Sequence, residues 1–238
     1  MRRIVLTGPD LEPEFPFRPL AAADHVKLAF PDPSTGDLIL PQGGERGLQS
    51  RDGRAPIMRD YTIRLVDHDA HELSIDFVLH SHGPAGHWAT GVATGDEIGV
   101  LGPRGTQVYP GTCADYLLVG DETAMPAIER FLEELPADAK VKTVLFASEE
   151  AHRKLGDGHG EIHWLPEPDP AGAAPAVLDA VSRLEIGPGT FAWGAGEAGV
   201  MRAVRKHLRS ERAMDADRVV IRGYWRTGVA GALPPGQD

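Results

Sequence analysis

The chain has 238 residues, of which 42% are hydrophobic and 25% are charged, and its formal net charge is −11. This balance is typical of a folded globular protein, and the negative charge argues against general affinity for nucleic acid or an anionic membrane. Because no apolar run is long enough to span a membrane and the start resembles no secretory signal, we expect a soluble, cytoplasmic protein.

The first half of the chain alternates short strand-like segments with turns. The predicted strands are residues 2–8, 24–30, 59–66, 72–80 and 96–105. Such spacing predicts an antiparallel barrel or sandwich. The segment Pro31–Ile57 is rich in Gly, Pro and polar residues, so we interpret it as a surface excursion without a regular element.

After Thr112 the pattern changes to alternating strands and helices. The strand-like run 115–120 leads directly into 121–135, where Ala124, Ile128 and Leu132 recur at helical spacing. Further strands are predicted at 141–147, 189–194 and 218–226, and further helices at 174–184 and 195–208. This order predicts a parallel, doubly wound sheet. We therefore expect a barrel domain over 1–111 and an α/β domain over 112–238.

A barrel followed by a parallel α/β unit is the layout of flavin reductases of the ferredoxin-reductase type, so a flavin site is expected in the barrel. The tetrapeptide R-D-Y-T at 59–62 fits their Arg-x-Tyr-Ser/Thr strand. A flavin site needs an aromatic ring over one isoalloxazine face, a polar group near N5 and a cation for the diphosphate. Strand parity places Arg59 and Tyr61 on one side and Thr62 on the other.

A second motif, D-F-V-L-H-S-H-G-P-A-G-H-W-A at 76–89, ends a strand and then presents small residues before Trp88. Such a loop suits backbone N–H groups that meet a phosphate at a helix N-terminus. Together with D-H-V-K-L at 24–28, G-P-R-G at 102–105, L-V-G-D-E-T-A-M-P-A-I at 118–128, W-G-A-G-E-A at 193–198 and G-Y-W-R-T-G at 223–228, the chain resembles the siderophore-interacting proteins. These are FAD-dependent ferric-siderophore reductases, and the resemblance covers almost the whole chain in the right order.

The resemblance implies a set of site residues. The FAD contacts would be Arg59, Tyr61, Thr62, Phe77, Val78, His80, Gly83, Ala85, Gly86 and Trp88, with Tyr61 and Thr62 beside the reacting ring. Thr123 would contact the nicotinamide amide of the donor, or would only cap the helix that begins there. A basic trio of Lys27, Arg104 and Arg226 would hold an anionic ferric siderophore. The electrons would come from NADH, NADPH or a ferredoxin and would release the metal as Fe(II).

The sequence departs from the family pattern in several places. The family loop commonly reads G-P-A-S-R-W-A, whereas Gly86 and His87 stand here in place of Ser and Arg, so we expect a weaker hold on phosphate. Family members also carry a further leading strand, so the first barrel strand is expected to be shortened. Asp121 and Glu122 replace glycines in the turn on the nicotinamide side, which is poor chemistry for a diphosphate.

Two local features bear on the ligands. His80, His82 and His87 lie close together in the sequence and are candidate zinc ligands. However, no carboxylate or Cys completes a ligand set at typical spacing, so we expect no metal site. Glu149 and Glu150 follow a predicted strand, where an acid suits the ribose hydroxyl of NADH and repels the phosphate of NADPH.

Two other functions remain open from the sequence. One is a general flavin reductase or electron carrier, for which the basic trio would be irrelevant to turnover. Alternatively, the altered loop at Gly86 and His87 would suit a non-catalytic siderophore-binding module that has lost its flavin.

Overall fold

A computed structural model describes residues 1–9, 11, 14–44, 47–49, 53–80, 83–103, 105–148, 160–166 and 172–229. The chain divides into two compact units, Met1–Gln107 and Val108–Asp238. Within the described ranges, no helix combines the length and the apolar character needed to cross a membrane.

The N-terminal unit is built from antiparallel strands and one helix. Its elements are β1 (Arg2–Thr7), β2 (His25–Phe30), β3 (Gln42–Gly44), β4 (Gly47–Gln49), β5 (Ile57–Thr62), β6 (Leu65–Asp67), β7 (Glu72–Phe77), α1 (Gly83–Gly91) and β8 (Gly99–Leu101). Two three-stranded sheets have the orders β1-β7-β6 and β5-β2-β8, and β3 pairs with β4 as a hairpin. The predicted antiparallel N-terminal architecture is confirmed.

Two details of the predicted elements were wrong. The run 59–66 is not one strand, because β5 and β6 lie in different sheets and the chain crosses between them at Ile63 and Arg64. The segment Pro31–Ile57 is not free of regular structure, since it contains the β3–β4 hairpin. A strand of three residues needs only backbone pairing, so amino-acid composition is a poor guide to whether such a strand forms.

The core of this unit joins the two sheets and α1. Alternate residues of β2 and β7 point inward, and Ala85 and Ala89 of α1 pack against them. The ring centroids of Phe30 and Phe77 each lie within 6 Å of that of Trp88, at 5.5 and 5.7 Å. Aromatic packing at these distances fixes α1 against the sheets.

The C-terminal end of α1 is held by a side chain from β1. The last turn of α1 carries no basic residue, yet its terminal carbonyls need donors. The Arg2 guanidinium donates to the carbonyl oxygens of Ala89, Thr90 and Val92 at 2.8, 3.0 and 2.9 Å. This contact ties the helix to the first strand.

Replacement of Arg2 by Leu is expected to lower the free energy of unfolding by about 2 kcal/mol, because three carbonyls lose a charged donor. Chemical denaturation measures this loss. The control is Arg54→Leu in the same unit, which removes an exposed ion pair with Asp37 and should cost less than about 1 kcal/mol. Equal losses in the two variants would contradict the capping role of Arg2.

The C-terminal unit alternates strands and helices. Its elements are β9 (Asp115–Asp121), α2 (Met125–Glu134), β10 (Lys140–Ala147), β11 (Glu161–Pro166), α3 (Ala173–Arg183), β12 (Phe191–Glu197), α4 (Ala198–Lys206) and β13 (Val219–Trp225). All five strands are parallel in the order β11-β10-β9-β12-β13, which confirms the predicted doubly wound sheet. Strand β11 was not among the predicted strands.

The order of the strands fixes where this sheet can bind a ligand. The chain moves outward from β9 to β10 and β11, and then returns to the other side of β9 with β12 and β13. The reversal between β9 and β12 is the switch point of the sheet. Doubly wound sheets bind ligands in the crevice at the carboxyl ends of the strands at this place.

Candidate functional site

Strand β5 presents the predicted flavin residues on two faces of its sheet. Tyr61 pairs with Val26, a core residue of β2, and Lys27 pairs with Asp60. Directly opposed residues of an antiparallel pair share a face, so Arg59 and Tyr61 lie on the core side. Thr62 lies on the opposite face together with Lys27, as strand parity predicted.

The Tyr61 side chain is half-buried and packs against the core. Its ring centroid lies 4.3 Å from that of Phe77 and 6.1 Å from that of Phe30. Burial raises the pKa of Tyr61 to about 12, and the nearby Arg59 opposes this shift. The phenol therefore stays protonated in the physiological range and remains available as a hydrogen-bond donor. The Arg59 guanidinium donates to the carbonyl of Met58 at 2.7 Å.

The end of β7 leads toward the start of α1. Phe77 is fully buried, so only its backbone is available to a cofactor. Val78 is half-buried and His80 is exposed. Trp88 is half-buried and packs on Phe30 and Phe77, which makes it a support beneath the site.

The first turn of α1 offers bare backbone. Gly83 has φ +77° and, among the described atoms, nothing lies within 4 Å of a Cβ built there. At Gly86 a Cβ would lie 2.4 Å from the His80 carbonyl oxygen and 2.8 Å from its ring. The motif was interpreted as a loop before a helix, but Gly83, Ala85 and Gly86 are themselves the first residues of α1. The exposed backbone of Gly83 at this helix N-terminus, with Tyr61 on a nearby strand of the same unit, fits FAD.

The predicted basic trio is described only in part. The Lys27 ammonium forms an ion pair with Asp60, with 2.5 Å between Nζ and Oδ1. Arg226 directly follows β13 in the C-terminal unit and is half-buried. Arg104 lies outside the described residues, as do His82, Glu149 and Glu150. His87 is exposed on α1.

The carboxyl edge of the parallel sheet is organised by the Asp121 carboxylate, whose burial and hydrogen bonds were not predicted from the sequence. Asp121 ends β9 and is 6% exposed. It accepts hydrogen bonds from the Thr123 N–H at 2.8 Å, the Glu197 N–H at 2.9 Å and the Trp225 Nε1–H at 2.8 Å, and also from the Thr123 hydroxyl. Burial raises the pKa of the Asp121 carboxyl, and these hydrogen bonds oppose the shift.

Two more carboxylates satisfy backbone donors at this edge. Glu122 accepts from the N–H and the hydroxyl of Ser148 at 2.8 and 2.5 Å. Glu197 caps α4 by accepting from the N–H groups of Gly199 and Val200 at 2.6 and 3.0 Å. Both donor groups of Thr123 are engaged by Asp121, so Thr123 acts here as part of a turn.

Known proteins match both units. Residues 1–107 match the family model of the siderophore-interacting FAD-binding domain, and residues 113–228 match that of the siderophore-interacting protein. The chain is 33% identical to the ferric vibriobactin reductase ViuB of Vibrio cholerae, over 95% of this chain and 84% of that protein. It is 34% identical to the NADPH-dependent ferric-chelate reductase of Escherichia coli, over 94% of this chain and 86% of that protein.

A solved structure agrees with these matches. The crystal structure of a siderophore utilization protein from T. fusca superposes with a TM-score of 0.86 at 37% sequence identity. The superposition covers 96% of this chain and 88% of the T. fusca chain.

Proposed function

The chain belongs to the siderophore-interacting protein family, and on this premise we propose that it is an FAD-dependent oxidoreductase that reduces ferric siderophores. The observation that carries the proposal is the match of the N-terminal unit to an FAD-binding domain. A half-buried Tyr61 on β5 and the exposed backbone of Gly83 at the start of α1 support it.

The residues of this chain would bind and orient the flavin. FAD, when bound, supplies the conversion of one hydride from NADH or NADPH into two single electrons, so one nicotinamide yields two Fe(II) and one proton. We assign Tyr61 to one face of the isoalloxazine ring and Arg59 to its charged tail. The N–H groups of Gly83, Ala85 and Gly86 are assigned to the diphosphate, whereas Pro84 has none to offer.

A siderophore is recognised outside the flavin by charge. Ferric siderophores are often anionic, and the net charge of −11 makes a local cationic surface necessary. We propose Lys27, Arg104 and Arg226 for this surface. Because Lys27 is already paired with Asp60, its charge is partly neutralised before the substrate arrives.

This pairing makes a charge prediction possible. Lys27→Ala should raise the KM for an anionic ferric siderophore about three- to tenfold, because one attractive charge is lost. Asp60→Asn should lower that KM, because it leaves Lys27 without its neutralising partner. Steady-state kinetics at low salt measure both effects, and flavin content is checked in each variant. A KM unchanged in both variants would remove Lys27 from the substrate surface.

An anaerobic spectrum tests the function. FAD-loaded protein mixed with NADPH or NADH should lose its visible flavin absorption, and a ferric siderophore should then restore it as Fe(II) forms. A flavin that reoxidises with dyes but not with ferric siderophores would indicate a general flavin reductase. A chain that binds no FAD would indicate a non-catalytic siderophore-binding module.

Two finer assignments also belong to the proposal. Should neither nicotinamide bleach the flavin, we propose a reduced ferredoxin as the donor. The absence of a membrane-crossing helix in the described ranges is compatible with the cytoplasm, which is where we place the reaction because both nicotinamides and ferredoxins are found there.

A further inference from the structure

Building on the proposed function, we propose that Asp121, Glu122 and Glu197 close the switch point of the C-terminal sheet to the diphosphate of the nicotinamide donor. The donor is then recognised without a diphosphate contact at this edge. These three carboxylates are specificity-determining residues for the electron donor.

The argument begins with topology. Asp121 is the last residue of β9 and Glu197 is the last residue of β12, so they stand on the two sides of the switch point. In doubly wound sheets this crevice receives a dinucleotide, whose diphosphate is held by unoccupied backbone N–H groups at a helix N-terminus.

In this chain several backbone donors of the crevice already donate to side chains. The Glu197 N–H donates to Asp121, and the N–H groups of Gly199 and Val200 in the first turn of α4 donate to Glu197. On the other side of β9, the Ser148 N–H donates to Glu122 at 2.8 Å. The carboxylates therefore stand in the role that phosphate oxygens take elsewhere, and a diphosphate would have to displace them.

The space in which a phosphate could approach the backbone closely is also occupied. Gly196 has φ +151°, which would let a phosphate come close to bare backbone. However, the Asp121 Oδ2 atom lies 2.5 Å from the position of a Cβ at Gly196. The opening that this glycine makes is filled by the carboxylate of the same chain.

Charge opposes a diphosphate as well. An incoming diphosphate would meet three carboxyl groups, one of them buried, and like charges in a poorly solvated crevice repel strongly. The ADP half of the donor consequently contributes little to binding, and the nicotinamide half carries the recognition.

Truncated donors test this inference on the FAD-loaded protein. Calorimetric titration with ADP-ribose should show no saturable binding up to about 1 mM. Reduced nicotinamide mononucleotide, which has no diphosphate, should bleach the flavin within about threefold of the rate of NADH at equal concentration. A dissociation constant for ADP-ribose below about 0.1 mM, together with competition against NADH, would overturn the inference.

A variant at Glu122 is expected to gain affinity for ADP-ribose. Glu122→Gly removes one charge and releases the Ser148 donors, so ADP-ribose should bind at least about tenfold more tightly than to the wild type. Glu185→Gly, at an exposed position between α3 and β12, is the matched control and should leave ADP-ribose binding undetectable. A folded Glu122→Gly variant that still fails to bind ADP-ribose would contradict the role of this carboxylate. If the variant does not fold, the wild-type titrations decide.

Failure of this inference can be distinguished from failure of the proposed function. Chemically reduced holoprotein that is reoxidised by a ferric siderophore, yet binds ADP-ribose tightly, retains its function and refutes only the inference. Reduced holoprotein that no ferric siderophore reoxidises refutes the function, whatever the titration shows.

Discussion

Replacement of Asp121 by Asn is expected to lower the free energy of unfolding by about 3 kcal/mol, although the side chains are nearly the same size. Each carboxylate oxygen accepts two hydrogen bonds, Oδ1 from the N–H and hydroxyl of Thr123 and Oδ2 from Glu197 and Trp225. An amide has only one oxygen, so its NH2 group must face at least one N–H donor in either orientation, since only the Thr123 hydroxyl among the four partners can also accept. The carboxyl ends of β9, β12 and β13 then lose their common partner.

Urea or guanidinium unfolding followed by far-UV circular dichroism measures this effect. The control is Asp115→Asn at the start of the same strand, where the side chain is half-buried and a loss below about 1 kcal/mol is expected. Equal stability of wild type and Asp121→Asn would show that these hydrogen bonds contribute nothing net.

Gly86→Ser is expected to weaken FAD binding at least about tenfold, or about 1.4 kcal/mol, even though Ser is the common family residue at this position. From the sequence alone, restoring the hydroxyl would be expected to strengthen the hold on phosphate. The structure reverses the sign, because the new Cβ would lie 2.4 Å from the backbone oxygen of His80. Either the start of α1 or the segment after β7 must move, and both belong to the proposed flavin site.

Fluorescence titration of the flavin-free protein with FAD measures the change. Gly91→Ser is the matched control on the same helix, because nothing among the described atoms lies within 4 Å of a Cβ there. It should leave the FAD dissociation constant within about twofold of the wild-type value. Tighter FAD binding by Gly86→Ser would show that the missing hydroxyl, and not the contact with His80, limits the affinity.

Strands and helices with a regular local spacing of apolar residues were predicted correctly. An edge strand and a corner between two sheets were not. Strand β11 was missed because it is an edge strand with only intermediate burial and polar residues among its apolar ones. The corner at Ile63 and Arg64 was missed because the apolar Ile63 followed by the polar Arg64 continues the alternation that is typical of a single strand. Neither feature leaves a periodic signal in the sequence.

The predicted site residues also divide into features that follow from local spacing and features that depend on long-range contacts. The motif at 59–62 was placed on the correct strand, with Thr62 on the opposite face from Tyr61, because strand parity is a local property. Their roles toward FAD remain predictions. The pairing of Lys27 with Asp60 joins two strands separated by more than thirty residues, so it could be found only in the folded chain.

The sequence by itself determined an antiparallel half followed by a parallel α/β half, since this order follows from local periodicity. It also carried the motifs by which the chain resembles its family. Only the tertiary structure decided that Arg2 caps α1, that Gly86 has no room for a side chain and that carboxylates occupy the switch point. The physical reason is that each of these depends on which donors, acceptors and atoms meet across long stretches of chain. A sequence lists such groups, but their partners exist only after the strands have paired.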